Sequence, residues 1–447
     1  MLAQGTAPAP ADVERYRADA DRLIEAALRD SAAYRRLAEM VDRFGNRLSG
    51  SASLERTIDW VIAEMKRDSL ENVRGEPVMV PHWVRGRESA VLVKPRARRL
   101  HMIGLGGSVG TPAAGITAEV IVVGSFEELQ RRAAEAKGKI VLFDVPFTSY
   151  RETVRYRGAG VVEAARAGAV ASLIRSVSSF SMQNPHTGSL RYDSMNVVRR
   201  IPGAAVSVED AMTLRRMAER GEHPTVTLTM GARTLPDAPS RNVVAEIVGR
   251  ERPDEVVVLG GHIDSWDVGT GAMDDGGGVV AAWEAVRLMK MLGLRPRRTV
   301  RVVAWTNEEN GLRGGRGYRD AHAAQVDKHV LAIESDEGAF KPTGFGFTGS
   351  DDAFAVVSSV ARLLERIGAG TVTRGGGGAD IGPLQERGVP VMGLAVEGSK
   401  YFWYHHSEAD TIDKLDPREV ALCVATMAVM AYVVADLPDP LPRGAAN

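Results

Sequence analysis

A single cysteine, Cys423, stands in 447 residues, so no disulfide can close within the chain and no site built on several thiolates can form. Neither sign of charge is in excess, because 56 Lys and Arg offset 57 Asp and Glu for a net −1. A broad basic footprint for nucleic acid or for an anionic bilayer is therefore not expected. Long apolar runs are missing too. The longest uncharged run that is mainly apolar, residues 420–435, falls short of the roughly 20 residues that cross a bilayer. Ahead of it, Asp416, Pro417 and Glu419 read as the N-cap, first-position proline and third-position acid of a helix. The expectation is a buried C-terminal helix with Cys423 as a small core residue, and no membrane segment. The first ten residues, MLAQGTAPAP, lack a charged start followed by an apolar core and hold no signal peptide; a trimmed secreted chain and a native start both fit them.

Other absences narrow the chemistry. The one GxSxG match, Gly106–Gly110 around Ser108, lies in a glycine run with no helical pattern after it and is not a strand–turn–helix elbow, so a serine hydrolase has no support. The glycine runs RGGGGAD (residues 374–380) and GLGGSVG (residues 104–110) have neither the Lys and Ser/Thr of a P-loop nor the spacing of a dinucleotide fingerprint, and read as loops.

What is present is an ordinary globular composition, 44% hydrophobic and 25% charged, with room for about three domains or one catalytic unit carrying an insertion. Residues 11–65 are helical by pattern, with Tyr16, Leu23, Ile24, Ala27 and Leu28 on one stripe, until glycines and serines break it at residues 45–53. Residues 113–230 change to short β-rich runs between helical ones, a compact α/β insert in which Asn184-Pro185-His186-Thr187-Gly188 is a turn by composition. After LPDAPSRN, apolar strands alternate with helices, which implies a largely parallel sheet covered by helices. The domains expected are 1–110 and 236–447 as two parts of a catalytic domain, with 111–235 inserted between them.

In an open α/β sheet, ligands bind beyond the carboxyl ends of the strands. Here those ends carry metal-ligand residue types. EVVVLGG runs into His262 and Asp264, and the following turn carries Asp274 and Asp275. VRVVAWT runs into Glu308 and Glu309, HVLAIES into Asp336, and VPVMGLAVE precedes His405 and His406. Any one of these alone reads as a solvated loop. Adjacent carboxylates repel, however, and gathering several at one sheet edge is costly without a cation. Imidazoles and carboxylates with no thiolate suit zinc or a similar divalent metal and are poor for calcium. A pair of ions bridged by one carboxylate accommodates the set better than one ion.

The motifs GGHIDSWDVGTGAMDDGGG, NEENG, ESDEG and WYHHSEADT are long and ordered, and with them the chain resembles the co-catalytic zinc exopeptidases of the aminopeptidase S and glutamate carboxypeptidase type. The likeness covers nearly the whole chain, and the insert looks like a protease-associated domain. The fold so implied is an α/β three-layer sandwich with a mixed, largely parallel sheet. The resemblance further implies two zinc ions per chain held by His262, Asp274 as bridge, Glu309, Asp336 and His406. It gives Asp264 the task of fixing the His262 imidazole, and it places a cis peptide between Asp274 and Asp275. Glu308 is implied as the general base that takes a proton from a metal-activated water and returns it to the leaving amine.

Many relatives have tyrosine where His405 stands, so His405, Tyr404 or the metal alone is left to stabilise the oxyanion. The glycine run at 374–380 is expected near the active site. SFSMQNPHTGS touches substrate or is a surface loop, and Trp403 and Tyr404 line a pocket or pack the loop. The implied activity is hydrolysis of dipeptides or short peptides. The rivals are an aminopeptidase acting on longer peptides and a receptor-like protein that keeps the fold without chemistry. A homodimer and a secreted or periplasmic location are implied, with the cytoplasm as the alternative.

Overall fold

A computed structural model describes residues 13–443; the first ten residues, read above for a signal peptide, lie outside them. The chain divides into two compact units. One takes the chain up to Val80, Ala238–Ser399 and the chain from Asp410 on, and the other takes Pro81–Asp237 and Lys400–Ala409.

The first unit is built on an eight-stranded sheet. Its strands are β1 (Glu71–Val84), β2 (Arg233–Ile247), β3 (Arg252–His262), β4 (Arg298–Trp305), β5 (His329–Glu334), β6 (Pro342–Thr348), β7 (Thr371–Arg374) and β8 (Val391–Val396). They lie in the order β1-β2-β4-β3-β5-β8-β6-β7. The central pairs β4/β3, β3/β5 and β5/β8 are parallel, whereas β2/β4 and β8/β6 are antiparallel. The centre reads as unbroken apolar runs because both faces are covered: β4 is buried along its whole length and β3 from Val256 to His262.

The helices Gly277–Met291 and Pro417–Asp436 pack against each other and on β3 and β4. Val244, Val258, Val303 and Ala332 of the sheet meet Tyr318 and Leu384 of the short helices Arg313–Ala321 and Gly382–Gln385. The sheet is thus the middle of three layers. The helix Pro417–Asp436 is long and apolar enough to cross a bilayer by composition but is buried in this unit. Its cap is the one expected, since the Asp416 carboxylate accepts the N–H groups of Arg418 (2.7 Å) and Glu419 (3.2 Å). Cys423 is buried on it, with its thiol 3.0 Å from the Phe340 carbonyl. The N-terminal helical pattern resolves into the helices Arg17–Arg29, Ala32–Phe44 and Ala52–Arg67, with Tyr16, Leu23, Ile24 and Ala27 buried.

The second unit has its own eight-stranded sheet. Four parallel neighbours, Ile116–Val123, Ile140–Phe143, Ala171–Arg175 and Gly203–Val206, form its centre over a core that includes Ile140, Leu142, Leu173 and Leu228. The two ends of the strand order, Arg98–Leu100 and Met102–Gly104, are separated in sequence by His101 alone, so the sheet curls round. Residues 81–110, read from sequence with the catalytic domain, lie in this unit. The strand Glu88–Lys94 pairs with Thr225–Met230, and Met102–Gly104 pairs with Gly203–Val206. Such long-range partners leave no local mark in the sequence.

Candidate metal centre

Register brings the site together in the first unit. His262 on β3 is level with Trp305 on β4, and Gly260 is level with Glu334 on β5. The residues that follow each strand therefore emerge at one edge. His262 Nε2 lies 3.2 Å from an oxygen of Asp274 and 3.2 Å from one of Asp336, and the ligand atoms of the three residues all lie within 4.8 Å of one another. The other ring nitrogen, Nδ1, is 2.9 Å from the Asp264 carbonyl. A carbonyl only accepts, so Nδ1 carries the hydrogen and the Nε2 lone pair faces two carboxylates. Lone pair against anions is repulsive unless a proton or a cation lies between them. Burial opposes protonation of His262, but Asp336 and Asp274 override it and raise its pKa well above the ordinary value.

The adjacent aspartates are divided in their tasks. Their peptide bond is cis. Asp274 faces His262. Asp275 turns inward and accepts the N–H of His262 and of Gly278, both at 3.0 Å, which ties the end of β3 to the start of the helix Gly277–Met291. A side chain at either neighbouring glycine would collide with it, since a Cβ at Gly261 falls 2.3 Å from its carboxylate and one at Gly278 falls 2.4 Å away.

Asp264 sits beneath the loop after β4. Its carboxylate accepts the N–H of Glu308 (3.0 Å), that of Glu309 (3.4 Å) and the Ser49 hydroxyl (3.3 Å). Asp264 is fully buried, Glu309 nearly so, and Glu308 half-buried. Burial raises the Glu308 carboxyl well above the usual range, and Asp336 and Glu309 add to the rise. Burial and Asp336 push Glu334 to about 8.

Four supporting residues went unread in the sequence. Arg47, fully buried, donates to the carbonyls of Ile263 (2.8 Å), Gly45 (3.0 Å), Thr270 (2.7 Å) and Gly271 (2.8 Å) and so pins the 262–274 loop. Asp410 accepts the N–H of Met273 (2.7 Å) and of Asp274 (3.2 Å), and burial beside Asp274 pushes it to about 7. Glu334 accepts the N–H of Asp380 (3.3 Å) and of Ile381 (3.0 Å), which brings the glycine run at 374–380 to the sheet edge. Asp380 is buried, and burial and Glu334 raise its pKa. Asp380 and Asp410 lie within motifs quoted above, so their positions were visible and their tasks were not.

In the second unit, His405 and His406 stack with ring centroids 3.5 Å apart, and His406 adopts a left-handed backbone at φ 59°. The stretch 184–188 seats them. His186 is held neutral, with burial lowering its pKa to about 4, and its Nδ1–H donates to the His405 carbonyl at 2.6 Å. Thr187 N–H donates to the His406 carbonyl at 2.8 Å, and Asn184 to the Ser407 hydroxyl at 2.7 Å. Arg157 Nη1 lies 3.3 Å from His406 Nδ1. Trp403 packs on Phe180 with centroids 5.0 Å apart, and Tyr404 is half-buried beside it. The stretch read as a turn or a substrate contact is thus the support of the histidine loop.

The donor set fits a divalent cation. Asp264, Asp275, Glu308, Glu334 and Asp410, gathered around His262, are each pushed toward protonation, which is what a cluster short of positive charge looks like. Residues 242–431 match the family model described as Peptidase family M28. Carboxypeptidase Q of Mus musculus is 51% identical over 411 residues, covering 92% of this chain and 87% of that one. The chain belongs to peptidase family M28. Within the family, carboxypeptidase Q of Xenopus laevis is 50% identical over 97% of this chain and 92% of its own. The crystal structure of a Peptidase M28 precursor from Shewanella amazonensis SB2B superposes with a TM-score of 0.93 at 35% identity, over 96% of this chain and 99% of that one. An aminopeptidase from Aneurinibacillus sp. strain AM-1 shares the fold, with a TM-score of 0.67 at 19% identity. This M28 chain is a metallopeptidase, and its mixed α/β architecture is that of M28 peptidase structures.

Proposed function

We propose that this M28 peptidase is a zinc-dependent exopeptidase that hydrolyses dipeptides or short peptides. The observation that carries the reading is the convergence of His262 Nε2 with Asp274 and Asp336 at one sheet edge, each 3.2 Å away. His262, Asp274, Glu309, Asp336 and His406 would hold two ions, with Asp274 as the shared carboxylate; the lack of any thiolate and the family resemblance support zinc. When bound, such a pair lowers the pKa of a coordinated water and polarises the scissile carbonyl.

The chain's own residues do the rest. Asp264 holds the Glu308 backbone by a 3.0 Å hydrogen bond, which fixes where the Glu308 carboxylate can reach. Glu308 takes the proton of the attacking water on a carboxylate oxygen and returns it to the departing nitrogen, a task served by its raised pKa. His405 or Tyr404 is assigned to the substrate's oxyanion. The second unit is assigned as a protease-associated domain, the enzyme as a homodimer, and its location as secreted or periplasmic, each on the family resemblance.

Elemental analysis with a panel of blocked and unblocked dipeptides, before and after chelation, tests the reading. Two zinc ions per chain, activity that disappears on chelation and returns with zinc, and a requirement for a free carboxylate are expected. Full activity of an ion-free preparation refutes it. Cleavage of carboxyl-blocked peptides at the same rate moves the assignment to an aminopeptidase.

A further inference from the structure

Beside Asp336 the first unit has a cavity of about 360 Å³, lined by Glu334, Glu337, Thr373, Leu394 and the glycines of the 374–380 run. That volume is within the ordinary range for a small-molecule pocket. Its wall is unusual in chemistry. Gly376 and Gly393 press backbone on backbone, since a Cβ at Gly376 falls 2.6 Å from Gly346 and one at Gly393 falls 2.4 Å from the Gly377 carbonyl. Those positions cannot carry side chains, so peptide groups form much of the wall, and its surface is about evenly divided between polar and apolar atoms.

Charge separates the three acids on the wall. Asp336 is committed to the ion site by the reading above. Glu334 is buried and already accepts two backbone N–H groups. Glu337 is exposed, and among the described residues its carboxylate has no cationic or hydrogen-bonding partner. The nearby Arg374 does not serve it, being paired with Asp351 at 2.6 Å and stacked over Phe354 at 4.3 Å. The cavity beside Asp336 is therefore left with one acid on its wall, Glu337, that no cation among the described residues compensates.

We propose that this cavity is a specificity pocket in which Glu337 receives the cationic side chain of a lysine or arginine flanking the scissile bond. The proposal rests on the peptidase reading for the use of the pocket and on the cavity alone for its charge preference. A paired carboxylate and ammonium, partly shielded from water, discriminate by about tenfold or more against a neutral isostere.

The test compares lysine with norleucine, which lacks only the ammonium, at either position of a dipeptide. It uses the full-length zinc-loaded protein and its Glu337→Gln and Glu337→Lys variants, matched for zinc content and Tm. Wild type is expected to show kcat/KM at least about tenfold higher for the lysine peptide in one position. Glu337→Gln should bring that ratio close to one while leaving the norleucine peptide within about threefold, and Glu337→Lys should invert it. A ratio unaltered by Glu337→Gln overturns the proposal. So does an equal loss on every unblocked peptide, which would place the α-amino group at Glu337 instead. Calorimetric binding of lysine hydroxamate against norleucine hydroxamate repeats the comparison without turnover. A protein that cleaves neither peptide but keeps a Glu337-dependent preference in binding fails the peptidase reading and not this one; cleavage without side-chain preference does the reverse.

Discussion

The Asp264 carboxylate reaches the backbone N–H of Glu308 at 3.0 Å while its own carbonyl holds Nδ1 of His262 at 2.9 Å. One residue therefore orients both a candidate ligand and the candidate base, across two neighbouring parallel strands. Asp264→Asn keeps the size but weakens the acceptor to Glu308 and Ser49. It is expected to lower metal affinity about 10- to 100-fold and to lower kcat even at saturating metal. Titration of zinc into the apo variant separates the two effects. Wild-type kcat at saturation would confine Asp264 to metal binding.

Glu308→Gln removes the proton acceptor at nearly constant shape. The variant should bind zinc as wild type does and lose about 10²- to 10⁴-fold in kcat. Metal content measured on the same preparation as the rate makes the comparison decisive, since undiminished hydrolysis by a fully loaded variant takes Glu308 out of the mechanism.

Arg47 shows where sequence reading stops. His262, Asp264, Asp274, Glu308, Glu309 and Asp336 were legible because each follows an apolar run, and in-register parallel strands must bring such positions to one edge. GNRLSG offers no such pattern. Nothing there marks Arg47, yet its side chain is fully buried on four carbonyls of residues up to 224 positions away. Asp410 and the 184–188 stretch were opaque for the same reason: their partners are main-chain groups of distant loops. The boundary near residue 110 failed similarly, because strand partners are set by tertiary pairing. Arg47→Met, which keeps volume and drops every donor, is expected to cost about 3–5 kcal/mol in urea unfolding. It should also weaken zinc binding, as the 262–274 loop loses its tether. A loss under about 1 kcal/mol would show that water replaces the guanidinium.

His329 sets an acid limit far from the metal site. Its Nδ1–H donates to the Gln325 carbonyl at 3.0 Å, so Nε2 accepts from the Tyr318 hydroxyl at 2.9 Å, which in turn accepts from Arg301 at 2.7 Å. Burial, helped by the charges of Arg301 and Arg443 and opposed by the Gln325 hydrogen bond, lowers its pKa from 6.5 to about 4. The unfolded chain therefore binds a proton first, and stability falls as pH drops from about 6.5 to 4. The full effect is about 3 kcal/mol. His329→Gln should flatten that limb relative to wild type when Tm is followed from pH 7 to 4, even if its Tm at pH 7 is lower. Parallel curves for the two proteins would assign the limb to other groups.

Metal binding should reverse the pH trend of the site itself. In the ion-free protein, Glu334 is raised from 4.5 to about 8 and Asp410 from 3.8 to about 7, so the folded chain holds protons that the unfolded chain has released. Their contribution to stability is complete below about pH 4 and is lost as pH rises through 7 to 8. Zinc requires the neighbouring carboxylates ionised and His262 neutral at Nε2, so protons compete with it and its affinity climbs over the same interval. At a free zinc concentration of 100 times Kd the gain is about 2.7 kcal/mol. The difference in Tm between loaded and ion-free protein is thus expected to widen steadily from pH 6 to 8, and scanning calorimetry at fixed free zinc measures it. A difference that stays constant or shrinks over that range would mean that the acids around His262 do not give up protons to an ion, and the centre would have to be assigned to other residues.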